Sequence, residues 1–142
     1  MNPKFMEEHG VKFQSRLPAF LVDYEFKFSV EGREGGAAIC TIVPSKGKIV
    51  HGALYHLSEG GLERLDELIL HGAKKGSYEK IEVPVVLSAS STQEQKLAKT
   101  YIAQPEIQKE GLEVNQQYLK LVLAATDVLP EHYVKFLKSF QA

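Results

Sequence analysis

Polar and apolar residues alternate along positions 19–31, AFLVDYEFKFSVE. Phe20, Val22, Tyr24, Phe26, Phe28 and Val30 share one face of an extended chain, and Asp23, Glu25, Lys27, Ser29 and Glu31 share the other. A period of two over so long a run predicts a strand with one buried face. The segment from Gly32 to Gly36 follows. It is rich in residues that accept positive φ and predicts a hairpin connection. Positions 37–43, AAICTIV, predict a short strand covered on both faces. Pro44-Ser45-Lys46-Gly47 has the chemistry of a turn, and 48–57 reads as the next strand. Three strands joined by short turns predict an antiparallel meander.

The period then changes. Leu62, Leu65, Leu68 and Ile69 recur at helical spacing, with Glu63, Arg64, Asp66 and Glu67 on the outer face. Ser58 stands where an N-cap belongs, Glu59 meets the helix dipole, and His71-Gly72 closes the helix before a loop from Ala73 to Ser77. Positions 78–87 predict a strand, with Ile81, Val83, Val85 and Leu87 on one face. Pro84 removes an amide donor there, which places the strand at an edge or bulges it. A polar turn leads to its partner strand over 96–103. After a loop at 104–114, Asn115 caps a helix that runs to Thr126. Pro130 opens a last helix with the stripe Tyr133, Val134, Phe136, Leu137 and Phe140. At the other end, Asn2-Pro3 starts a short helix that Gly10 ends. The expected architecture is α+β: a small, mixed, mainly antiparallel β-barrel with a central helix and C-terminal helices, forming a single domain over 1–142.

Composition narrows the partners. The chain has 142 residues, 44% hydrophobic and 25% charged, with 17 basic and 18 acidic side chains. That suits one ordinary soluble domain, with no basic excess to attract nucleic acid. No apolar run approaches the length of a membrane span, and the N-terminal MNPKFMEEHG has no signal-peptide core. The single Cys40 cannot form an internal disulfide, so a reducing, cytoplasmic location is expected, with Cys40 a small core residue.

Chemistry candidates are few. His51 and His56 lie five apart on one predicted strand, hence on opposite faces, and no Cys/His cluster has metal spacing. No metal and no cofactor are expected. Gly60-Gly61 reads as close packing in a helix's first turn, and no nucleotide-binding or nucleophile-elbow motif occurs. Asp66 and Glu67 read most simply as a solvated helix face, although Glu67, beside an aromatic-lined sheet, is a weak candidate base. Tyr55, Tyr78 and Tyr101 are candidates to line a pocket, with rim-facing packing as the plainer account.

Several runs resemble one family in order. These are A-x-L-x-D-Y-x-F-x-F at 19–28, T-I-V-P at 41–44, V-x-G-A-L-Y-x-L at 50–57, L-x-x-L-D at 62–66, S-Y-x-K-I-E-V at 77–83, T-Y at 100–101 and Y-L-x-L-V-x-x-A at 118–125. Together they resemble the γ-glutamylcyclotransferase-like (AIG2-like) family. The resemblance implies a small mixed β-barrel with flanking helices, and Gly52, Tyr55, Tyr78 and Tyr101 are the candidate substrate-binding residues. It also implies a reaction in which the α-amine of a γ-glutamyl group attacks its own γ-carbonyl, releasing 5-oxoproline and an amine. That reaction needs a carboxylate base and backbone amides to hold the oxyanion.

The chain departs from the family at both points. The amides come from a Y-G-S-N type loop after the first strand, and Met1-Asn2-Pro3 matches residues just beyond it. Either the start codon lies further upstream or that strand has been lost, and the expected fold is the family's without its first strand. The family's Glu, in L-D-x-x-E-G, falls on Ile69 without a gap and on His71 if two residues are inserted. His71 is therefore the candidate base, with Glu67 one turn earlier as substitute. Two readings follow: an enzyme acting on γ-glutamyl or other polar small molecules, and an inactive relative serving as a ligand-binding or interaction module. An open sheet edge would favour a homodimer.

Overall fold

Two long strands carry the molecule. The computed structural model describes residues 2–32, 37–71 and 77–142. β1 (Phe13–Val30) and β2 (Ile39–Leu57) pair antiparallel, from Phe13↔Leu57 to Val30↔Ile39. Pro44 to Gly47, expected to be a turn between two strands, is instead a bulge inside β2. Val22 faces Ile49 and Tyr24 faces Pro44, so residues 45–48 stand against Asp23 alone. Asp23 adopts φ 66° and Gly47 φ 84°, and Asp23 Oδ1 accepts from the Gly47 amide at 2.9 Å. Left-handed residues on both strands let the excursion close on itself, so the strand continues instead of reversing. The expected meander is thus one long hairpin. Most of its connection, 33–36, lies outside the described residues, as do positions 72–76 of the expected Gly72 and Ala73–Ser77 loop.

β3 (Tyr78–Leu87) and β4 (Gln95–Ala103) form a second hairpin, and the sheet order is β2-β1-β3-β4. The two hairpins meet only at Ala19↔Leu87 and Phe20↔Val86, and then diverge. Pro84 lies outside that short ladder, where a missing donor is tolerated. The sheet curls until its outer strands approach. The Ala103 amide donates to buried Thr41 Oγ1 at 2.9 Å, and the Tyr78 hydroxyl donates to the Cys40 carbonyl at 3.4 Å. These links do not close the hydrogen-bonded ladder. The architecture is α+β and mainly antiparallel as expected, but "barrel" describes it only loosely.

Helices cover both sides. α1 (Pro3–Glu8) is capped by Asn2, whose side chain accepts from the Lys4 amide at 2.7 Å. α2 spans Gly61–Ile69 and starts later than a Ser58 cap would place it. Its N-cap is Gly60, at φ 82°. A Cβ on Gly61 would lie 2.8 Å from the Lys12 carbonyl oxygen, so only glycine lets the helix start come so close to that backbone. Leu65 of α2 joins Met6 and Val11 in a buried cluster, flanked by Phe13, Tyr55, Leu68 and Tyr101. Each such buried side chain contributes about 1.5–3 kcal/mol.

α3 (Gln116–Leu123) is capped by Asn115, whose side chain accepts from the Tyr118 amide at 3.0 Å. It stops short of Thr126, where the chain tightens into a 3-10 turn at Thr126–Val128. α4 (Glu131–Lys138) follows Pro130. The aromatic face of β1 meets these C-terminal helices: Phe28 lies 5.1 Å from Phe140 and 6.3 Å from Tyr118, ring centre to ring centre. The other face of β1 is also covered, because Ala19, Leu21 and Ser29 are buried while Val22 is 47% exposed. The alternation finds the strand but not its two-sided burial, which follows from the curl of the sheet.

Candidate functional site

The inner end of α2 meets the β3–β4 hairpin through a carboxylate. Lys80 and Tyr101 are direct cross-strand partners, so their side chains leave the sheet on one face. Asp66 follows Leu65 on the helix, and the burial of Leu65 turns Asp66 toward the same strands. The Tyr101 hydroxyl donates to Asp66 Oδ1 at 2.5 Å, and Lys80 Nζ donates to Oδ2 at 2.8 Å. The Asp66 and Lys80 side chains are only 22% and 29% exposed. Partial burial opposes ionisation of Asp66, but the hydrogen bonds from Lys80 and Tyr101, aided by charge on His71, outweigh it and hold the carboxyl below the usual range. Burial, and then the adjacent carboxylate, push the Tyr101 phenol upward. At neutral pH this is an ionised carboxylate gripped by an ammonium and a phenol. It is a positioned anion and a poor base.

The remaining sequence candidates divide among other places. His71 sits just past the end of α2 and is exposed. Glu67 is exposed and pairs with Arg64 at 3.1 Å. Tyr78 belongs to a second polar group around Cys40, whose Sγ lies 3.1 Å from the Tyr118 hydroxyl. Burial is the main cause that raises the Cys40 thiol and both phenols. Tyr55 packs edge-on against Phe13 at 5.0 Å, with the Arg16 guanidinium 5.8 Å from its ring centre. Arg16 is in turn bound to Asp127 at 2.8 Å. Gly52 lies opposite Ala19 on β2, with open space where a Cβ would stand. Tyr55 and Tyr101 share the hydrophobic cluster beneath α2; Tyr78 and Gly52 stand apart from it.

Sequence reasoning treated Asp66 as solvated and passed over Lys80. The signal for Asp66 was the L-D pair itself, since a residue next to a buried leucine sits at the helix boundary. Lys80 and Tyr101 lie 21 positions apart, and only the β3–β4 register brings them together. Two surface cavities lie elsewhere: one of about 350 Å³ includes Gln116, Leu123 and Gln141, and one of about 260 Å³ includes Phe26, Phe28 and Phe140. Among the described residues, no three His, Cys, Asp or Glu side chains converge as a metal site requires, and no helix is long and apolar enough to cross a membrane.

Comparison with known proteins fits this fold. A solved γ-glutamyl cyclotransferase superposes with a TM-score of 0.79 at 23% identity, covering 97% of this chain and 80% of that one. An uncharacterised protein from Homo sapiens gives 0.72 at 25% identity, covering 90% of this chain and 73% of that one. YkqA from Bacillus subtilis gives 0.80 at 17% identity, with 97% of this chain spanning 49% of that one. No curated protein sequence matches. The model of the AIG2-like family matches residues 49–137, well over half of the chain. The fold and that match together place this chain in the AIG2-like, γ-glutamylcyclotransferase-like family.

Proposed function

We propose that this protein binds γ-glutamyl amines beside the C-terminal end of α2 and cyclises them to 5-oxoproline. The observation that carries the reading is the clamp on Asp66, which fixes the helix end bearing His71 against β3 and β4. In the reaction the γ-glutamyl α-amine attacks the γ-carbonyl. A new carbon–nitrogen bond closes the five-membered ring, and the old amide bond breaks to release the amine. His71 takes the proton from the attacking ammonium, and as the old bond breaks the leaving nitrogen takes up the proton that the ring nitrogen gives up. Asp66 stays ionised and holds its two donors. One acyl–nitrogen bond replaces another, so the chemistry calls for no redox group. The lone Cys40 supports a cytoplasmic setting.

The direct test is to incubate the protein with γ-glutamyl amines and follow 5-oxoproline by mass spectrometry. Release that disappears in His71→Ala supports the reading; no release from any γ-glutamyl amine sinks it. A binding-only relative is the second reading. The commitment of Asp66 to two donors and of Glu67 to Arg64 favours it, because neither carboxylate is free to act as a base. Stabilisation by γ-glutamyl amines in thermal unfolding, without 5-oxoproline, would select it. The open sheet also supports pairing of two copies along the β4 edge, where Leu97 is 73% exposed. Sedimentation as a monomer at high concentration would count against that pairing.

A further inference from the structure

β2 and α4 meet through two histidines. His51 of β2 stands opposite Phe20 of β1, their ring centres 5.7 Å apart. From α4, His132 meets the His51 ring edge-on at 5.3 Å and Tyr133 meets it at 4.9 Å. Among the described residues, His51 Nδ1 and the Tyr133 hydroxyl are both buried with no hydrogen-bond partner. Two ionisable rings thus press together at the seam between the sheet and the last helix, and neither adds a hydrogen bond across it.

We propose that the His51–His132 contact makes the docking of α4 sensitive to pH, so that mild acid adds charge at this seam and releases the helix from the aromatic face of β1. Each proton adds an N–H and a positive charge. A charge on His51 would stand 5.3 Å from the His132 ring, with its Nδ1 buried and without a hydrogen-bond partner among the described residues to stabilise it. The groups that face His51 offer no compensation. β1 presents Phe20, and α4 presents His132 and Tyr133. Arg16 of β1 is committed to Asp127. Glu131 and Lys135 of α4 pair with each other at 3.9 Å while 88% and 77% exposed, and Lys138 and Lys48 are exposed. The charge that bears on His51 is that of His132.

The sign follows from linkage. Burial, and then His132, hold the docked His51 imidazole below its ordinary value of 6.5. The undocked state therefore binds more protons, and docking weakens as pH falls below about 6.5. It is fully present above that value.

Amide hydrogen exchange of residues 131–141, corrected for intrinsic rates, tests this at pH 7.5 and 5.5. Protection of α4 in the wild-type protein is expected to fall several-fold and by no more than roughly tenfold, the ceiling set by charging undocked His51 from its ordinary value of 6.5 down to pH 5.5. The β3–β4 amides should hold theirs. His132→Gln, at an exposed position that does not threaten folding, should retain more of the α4 protection at pH 5.5 than the wild-type protein does, while burial of His51 keeps part of the loss. Equal α4 protection at the two pH values would overturn the proposal, and so would an equal loss in His132→Gln. A second reading comes from the His51 ring proton shift in an NMR titration. Its midpoint should rise in His132→Gln, and an unmoved midpoint would show that the two rings do not act as a pair.

Discussion

The same sheet holds α2 and α4 in different ways. At α2, Asp66 accepts from Lys80 and Tyr101, so each of its carboxylate oxygens is matched to a donor. At α4, Tyr133 meets the His51 ring edge-on, but among the described residues His51 Nδ1 and the Tyr133 hydroxyl find no hydrogen-bond partner. Both helices also bury leucines, Leu65 at 7% exposure and Leu137 at 1%. The hydrophobic anchoring is therefore comparable, and the contrast lies in the polar atoms. A buried polar pair that is satisfied fixes geometry; unsatisfied groups cost free energy and leave the contact open to changes in protonation.

The largest effects should come from the apolar anchors. Leu137→Ala and Leu65→Ala are each expected to lower stability by about 2–5 kcal/mol in urea unfolding, with Leu137 toward the upper end. If one of the two proved nearly neutral, the claim of comparable anchoring would fail. Asp66→Asn comes next. It leaves the Lys80 ammonium without its partner in a site mostly shielded from water, at a cost of about 1–3 kcal/mol. Its pH signature is specific. The Asp66 pKa is depressed from 3.8, so the stabilisation is present above that value and is lost as pH falls through the lower folded value. The wild-type protein should show this acid limb and Asp66→Asn should not. The limb lies well below the pH range in which His51 acts.

Tyr133→Phe turns the contrast around. The hydroxyl lies near the His51 backbone with no hydrogen bond of good geometry, and burial pushes its pKa up to about 12. Removing an unsatisfied hydroxyl should change stability by less than about 1 kcal/mol and can raise it. A loss as large as that of Asp66→Asn would mean that the α4 contact has a polar anchor after all.

Local chemistry in the sequence foretold elements more reliably than the contacts between them. Asn2 and Asn115 were legible as caps, because a cap acts within three residues of itself. Pro44 to Gly47 had turn residues, but their outcome depended on Asp23 in the partner strand adopting a left-handed conformation, which no local pattern records. Ser58 looked like a cap until Gly61 was seen to need the Lys12 backbone beside it. The motif run at 50–57 and 62–66 placed the fold correctly. The Asp66–Lys80–Tyr101 group was hidden, since it depends on strand register and on which side of α2 faces the sheet. The His51–His132 contact joins residues 81 positions apart and was hidden for the same reason.

Glu67→Gln should have the smallest effect and draws the boundary of the α2 contact. Glu67 is one residue beyond Asp66, but the helix turns it to the solvent, where it is 65% exposed and pairs with Arg64, three residues earlier. An exposed pair at that spacing contributes about 0.2–0.5 kcal/mol. Arg64 does not depend on it, because its Nε also donates to the His9 carbonyl at 2.9 Å and ties α2 to the end of α1. Glu67→Gln should therefore shift the urea midpoint by no more than a few tenths of a kcal/mol in free energy, and 1 M salt should erase most of the difference. Arg64→Ala should cost more, since it removes the tie to His9 as well. If Glu67→Gln instead matched Asp66→Asn, the helix would be held by both faces, and the buried clamp on Asp66 would lose its claim to be what fixes α2 to the sheet.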